Sequence, residues 1–153
     1  MGKFVIGFSE FATLTSPKTA AKIIGASAKA FECVEINMFG GGQTAAADTQ
    51  HEAQVGFLSN GGTGTVGSSP TPEPMEQGSN ASDLTAGVNY SAEPTTYGTV
   101  IPLFTFNQRG GMRWAVPRTE GFKTNGAATN LSFGTRVDSQ VAGVVSGNLM
   151  WWE

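Results

Sequence analysis

His51 is the only histidine and Cys33 the only cysteine of this 153-residue chain, so nucleophilic, acid–base or metal chemistry has few groups to work with. His51 lies in the run Asp48-Thr49-Gln50-His51-Glu52, where carboxylates flank an imidazole. A metal ion would need those donors on one face, with outer partners to orient them. Adjacent strand residues point to opposite faces, and the chain has no second histidine to complete a ligand set. A Ser-His-Asp hydrolase would also depend on His51, yet no Gly-x-Ser-x-Gly elbow occurs. Cys33 has Glu32 and Glu35 beside it, the wrong setting for a reactive thiolate. With Phe31, Val34 and Ile36 nearby, it is expected to be a small buried hydrophobe. Gly61-Gly62-Thr63-Gly64-Thr65 lacks the lysine of a phosphate loop, and no clear helix follows it. Glu73 and Glu76 sit in a proline-rich stretch. The expectation is no catalytic residue, no metal and no cofactor, hence no enzyme.

The composition agrees with a role in shape and contact. Charged residues are 14% of the chain, against about a quarter in ordinary domains. Glycine is abundant, at 21 residues, as in a chain of strands and turns. The length fits one domain over residues 1–153 with a core of its own. No signal peptide, bilayer-spanning run or myristoylation pattern is read, so synthesis in the cytoplasm is expected. The charges fall in blocks. Residues 1–29 carry a net +3, residues 30–108 hold eight acids with no Lys or Arg, and residues 109–153 carry +2. The ends can pair with the middle within one subunit or across subunits. No basic patch with interleaved aromatics marks a nucleic-acid site. The three Asn-x-Ser sequons, at Asn80, Asn89 and Asn130, are read as chance in a Ser-rich chain.

The elements that position these residues are mostly strands. Phe4, Val5, Ile6, Phe8 and Phe11 make a β-prone opening. Ser16-Pro17 has the form of a helix start, with a strand over Thr19 to Ala26 as its rival. Val34, Ile36 and Met38 alternate with Glu35 and Asn37, and Ala53, Val55 and Phe57 with Glu52 and Gln54. That is the period of half-buried strands, and these two are placed to pair with each other. Residues 60–94 read as one long irregular loop, uncommon in a compact domain, that is either flexible or ordered against a neighbouring subunit. Thr95 to Asn107 carries bulky apolar groups on both faces and is expected to be covered on both. Met112, Trp114 and Val116 form a strand after the Arg109-Gly110-Gly111 turn, with Trp114 in the core. Leu131, Phe133, Thr135 and Val137 form another; Val141, Val145, Leu149 and Trp151 line the last. About eight short strands fit an antiparallel sandwich, jelly roll or barrel. Trp151 and Trp152 are consecutive, so one faces in and the other out. The outer one either meets a partner or caps its own sandwich.

Several segments together resemble a family of tailed-bacteriophage virion proteins taken as head decoration, or cement, proteins. They are Thr19-Ala20-Ala21-Lys22-Ile23-Ile24, Val34-Glu35-Ile36-Asn37-Met38-Phe39 and Ala47-Asp48-Thr49-Gln50-His51-Glu52. They continue with Ser91-Ala92-Glu93-Pro94-Thr95, Asn107-Gln108-Arg109-Gly110-Gly111-Met112-Arg113-Trp114 and the closing Trp151-Trp152-Glu153. Their order and spacing match over nearly the whole chain. The resemblance implies a jelly-roll-like all-β sandwich, a homotrimer, and the major capsid protein as partner. It implies residence on the capsid surface of the virion, favours a strand after Pro17, and brings no catalytic residue with it. No membrane or nucleic-acid partner is expected. Contacts are expected from residues 1–16, with Phe4, Phe8 and Phe11, from residues 60–94, and from Trp151 and Trp152. Arg109 and Arg113 are expected to bridge to the acidic middle of the next subunit. The alternative is another virion component (tail, spike or head fibre) gripping host carbohydrate, marked by Trp152 or Tyr90 exposed in a shallow groove.

Overall fold

The computed structural model describes residues 1–25, 29–40, 49–58, 64–94, 97–125 and 131–153. Among the described residues the chain is all strand and loop. The strands are β1 (Lys3–Ala12), β2 (Lys18–Ile24), β3 (Glu32–Gly40), β4 (Gln50–Leu58), β5 (Glu73–Pro74) and β6 (Thr85–Val88). They continue with β7 (Tyr97–Asn107), β8 (Gly111–Ala115), β9 (Phe122–Lys123), β10 (Ser132–Ser139) and β11 (Val144–Trp152). One sheet has the order β5-β1-β11-β3-β8, with β9 also on β3, and the other β6-β2-β10-β4-β7. Every pairing is antiparallel.

The topology follows a simple rule. The first half of the chain pairs with the second half in reverse: β1 with β11, β2 with β10, β3 with β8, and β4 with β7. Successive strands of this long ribbon alternate between the sheets, which yields the two interlocked Greek keys of a jelly roll. The expected β-sandwich is therefore what forms, and Lys18–Ile24 is a strand despite the helix-like Ser16-Pro17 start.

Alternation places the core. In β11, Val145, Leu149 and Trp151 turn inward and are fully buried, as their period predicts. Two irregularities reset the phase elsewhere. A bulge in β1 between Phe8 and Phe11, with Glu10 in the left-handed region at φ 52°, lets both phenylalanines face in. A second, in the β3–β11 ladder, brings Cys33 inward beside Ile36 and Met38. Cys33 is completely buried, as expected from its neighbours, and burial pushes its thiol pKa up.

Three expectations need correction. β3 and β4 do not pair, because each has two other neighbours in a different sheet. β7 is not covered on both faces: it is the edge of its sheet, Ile101 is 44% exposed, and Phe106 is its one buried side chain. Pro102, which has no N–H to donate, is compatible with that edge position. Within residues 60–94, the described part is more than loop. It contributes β5 and β6, bridges Thr65 to Ala92 and Ser68 to Val88, and buries Leu84, Ala86, Val88 and Tyr90.

Candidate interaction surface

The residues with chemical potential are held apart. His51 enters the sandwich from β4, 1% exposed, with its ring 5.2 Å from that of Phe106. Its Nδ1 lies 2.6 Å from Ser139 Oγ, the cross-strand neighbour on β10. Its Nε2 meets no hydrogen-bond partner among the described residues. Glu52 and Asp138 sit directly opposite one another on the outer face of the same sheet, one position out of phase with His51. A shallow depression touches all three, but the Ser139–His51 pair is not extended to either carboxylate by a hydrogen bond among the described residues. Glu52 instead accepts a bond from Gln54 Nε2 at 2.7 Å. No group of three or more potential metal ligands occurs among the described residues. Asp48 lies outside them.

Burial also holds the His51 imidazole below its ordinary pKa of 6.5. The unfolded chain then takes up a proton at a higher pH than the folded one. Stability is full above pH ~6.5 and falls as pH drops from there toward the lower folded value. Urea midpoints measured from pH 8 to 5 are expected to fall across that window, and His51→Gln to remove that component of the fall. An unchanged slope in the variant would place the titration elsewhere.

The outer face of the β2-β10-β4 sheet is closed by the chain itself. Tyr97 lies across two facing glycines, Gly56 and Gly134, paired between β4 and β10. A Cβ on Gly56 would come within 2.9 Å of the Tyr97 ring, and one on Gly134 within 2.3 Å of its hydroxyl. Tyr97 Oη lies 2.9 Å from Thr19 Oγ1, which donates to Glu93 at 2.6 Å. The other Glu93 oxygen accepts from Thr19 N at 2.7 Å. Arg136 stacks its guanidinium 5.0 Å over Tyr97 and forms a 2.8 Å ion pair with Glu93. Beside this network, Lys22 packs 5.2 Å from the Tyr90 ring centre. Burial lowers the Lys22 pKa and pushes that of the Tyr90 phenol up to about 12.

The interface candidates divide. Phe4, Phe8, Phe11 and Trp151 are not surface groups: they are 3%, 5%, 2% and 0% exposed. Phe4 stacks on Trp151 with ring centres 6.1 Å apart, and Phe8 meets Phe11 edge-on. The core takes them because large apolar rings gain most from leaving water. Trp152 is the outward member of the pair, half-buried beneath the Arg118 guanidinium at 5.3 Å. Tyr90 is buried, so it is not an exposed sugar-stacking platform. Arg109 and Arg113 are exposed, on and after the β7–β8 turn. Arg113 Nε donates to Glu35 Oε1 of its own chain at 2.8 Å, and this bond is the main cause of Glu35 titrating below the usual carboxylate range. The other ion pairs among the described residues are Lys29–Asp83, Lys123–Glu32 and Arg136–Glu93. Each joins a cation from one end of the chain to an acid of the middle block. Among the described residues, four of the eight middle acids are thus paired within the subunit.

What remains open is one side of the sandwich. Among the described residues, the partly buried members of the core gather where β7 and β8, the two edge strands joined by the 107–110 turn, stand side by side. The half-buried members of the core are Phe57, Leu103, Phe104, Trp114 and Phe122, and all belong to β4, β7, β8 or β9. Trp114, Phe122, Phe133 and Phe57 form a row of touching rings from one sheet to the other, with successive centres 4.9, 5.1 and 5.4 Å apart. Trp114 is therefore a core-edge residue rather than a fully buried one. Ile101 and Met112 at the rim are 44% and 37% exposed. Sequence reading missed this surface because it treated β7 as covered on both faces. The surplus of apolar groups in β7 was the signal for it. No protein-family model, no curated protein and no solved structure matches this chain.

Proposed function

We propose that the chain is a structural virion protein, a bacteriophage head decoration or cement protein that binds the outside of the capsid as a homotrimer and stabilises contacts between major capsid subunits. The virion setting and the trimer come from the succession of sequence segments described above. The observation that carries the assembly role is the β7–β8 side, where the apolar core of a jelly roll reaches solvent at Ile101 and Met112 beside half-buried Leu103, Phe104 and Trp114. A continuous apolar rim with charged residues around it has the make-up of a protein-binding surface. Such a role needs no reaction at the chain's own side chains. It needs many modest contacts, multiplied by the valency of the oligomer. The test is sedimentation of the purified protein with capsids that lack it. Saturable co-sedimentation, with greater capsid resistance to heat or chelation, is the expected result. Protein left wholly in the supernatant at micromolar concentration would overturn the reading.

A further inference from the structure

We infer that the outer face of the β1-β11-β3-β8 sheet binds a neutral carbohydrate chain. The two sheets differ in what lies over them. Tyr97, Arg136 and Glu93 close the outer face of the β2-β10-β4 sheet. The outer face of the other sheet shows Gly7, Phe39, Arg113 and Ala115 to solvent. A Cβ added to Gly7 would meet only Gly147 O, at 3.8 Å, so the space above that part of β1 is open.

Gly7, Asn148, Asn37 and Arg113 stand side by side on β1, β11, β3 and β8. With strands about 4.8 Å apart, they form a row roughly 14 Å long. Asn37 Nδ2 donates to Asn148 Oδ1 at 2.8 Å and to Glu35 Oε1 at 3.1 Å. The same Glu35 oxygen accepts from Arg113 Nε at 2.8 Å. These bonds hold the polar groups of the row in fixed positions. They leave the Asn148 amide N–H groups, the Asn37 carbonyl and the Arg113 Nη groups without a partner among the described residues. A sugar hydroxyl both donates and accepts, so neighbouring hydroxyls of one ring match the free donor of Asn148 and the free acceptor of Asn37. Arg113 and Glu35 offset each other in charge. The row therefore offers hydrogen bonds with no net charge, which suits a hydroxylated neutral ligand better than a phosphate or sulfate. Its groups lie along a line rather than around a pocket, which suits a chain of sugars.

An aromatic ring flanks the row. Phe39 lies two residues along β3 from Asn37 on the same face, about 7 Å away, and is 47% exposed. A pyranose has apolar C–H groups on the face of its ring and hydroxyls at its edge. An exposed aromatic face beside fixed donors and acceptors meets both needs, and an uncovered phenyl ring gains by leaving water. Tyr90, buried over the other sheet, cannot provide such a platform. The inference goes beyond the proposed function and does not rest on it.

Calorimetric titration of the purified protein with glucohexaose, galactohexaose and mannohexaose tests it. At least one of the three is expected to bind with a Kd of about 1 mM or tighter. Asn37→Ala/Asn148→Ala and Phe39→Ala are each expected to weaken that binding about tenfold or more, with circular dichroism spectra like the wild type. Val141→Ser, at a 55% exposed residue outside the row, is expected to leave it unchanged. No binding of any of the three sugars at about 10 mM would overturn the inference. Binding that survives both the amide and the Phe39 variants, or a sulfated oligosaccharide binding more tightly than every neutral one, would overturn it equally. If the double variant does not fold, Asn148→Ser alone is read instead, with the same expected direction, and unchanged affinity in it would refute the role of the row.

Discussion

Trp151→Ala is expected to lower the unfolding free energy by about 3–5 kcal/mol, and Trp152→Ala by about 1 kcal/mol or less. The two residues are adjacent and chemically identical, so the contrast isolates environment. Trp151 is fully buried on the inner face of β11, stacked on Phe4 and flanked by β1 and β3. Its removal leaves a ring-sized void in a central strand that cannot collapse without moving both neighbours. Trp152 faces out and is half-buried, and its ring loses mainly the stacked Arg118 guanidinium. Such an exposed cation–π contact contributes about 0.5–1 kcal/mol. Urea unfolding of both variants at one pH gives the comparison. Equal losses would mean that the inward and outward assignments of β11 are wrong.

Glu93→Ala is expected to cost about 2–3 kcal/mol, more than other single changes at comparably exposed positions. Its carboxylate receives Thr19 N and Thr19 Oγ1 and pairs with Arg136, and its side chain is 30% exposed. Alanine would leave the backbone N–H of a residue with no exposure, Thr19, without its acceptor. It would also leave Arg136, 17% exposed, without its counter-charge. Glu93→Gln keeps an acceptor and is expected to lose roughly half as much, since only the charge-assisted part goes. Chemical denaturation of the pair tests this. A Glu93→Ala variant within about 0.5 kcal/mol of the wild type would show that the Tyr97–Arg136 stack over Gly56 and Gly134 holds the segment without the carboxylate.

The alternation in β4, β10 and β11 was legible in the sequence because a strand half-buried in a sandwich repeats every two residues. The inward Val55, Phe133, Val137, Leu149 and Trp151 could be read from that period alone. The burial of Cys33 was legible from its apolar neighbours Phe31, Val34 and Ile36, although the bulge that turns it inward was not. The sandwich class followed from strand number and turn signals. Bulges were not legible. Glu10 at positive φ shifts Phe11 into phase with Phe8, and no local sequence rule announces it. The bulge accounts for Phe11 alone; Phe4 and Phe8 share the period of Ile6 and are core by that alternation.

Which strands become edges is the main thing the tertiary structure alone decided. The residues of β7 are apolar on both faces, a pattern that ordinarily marks a central strand. The reverse pairing of the two chain halves instead gives β4 and β7 the turning point of the ribbon, so β7 has a neighbour on one flank only. Position in the topology is a long-range property, and hydrophobic period is a local one. The sequence by itself determined that this chain is built from strands with one titrating imidazole and a segregated charge pattern. Only the folded arrangement decided that His51 points away from Glu52 and Asp138, and that four of the eight middle acids are paired within the subunit. It likewise left the apolar surplus of β7 on one open side, because a strand at the end of a sheet has no second neighbour to cover it.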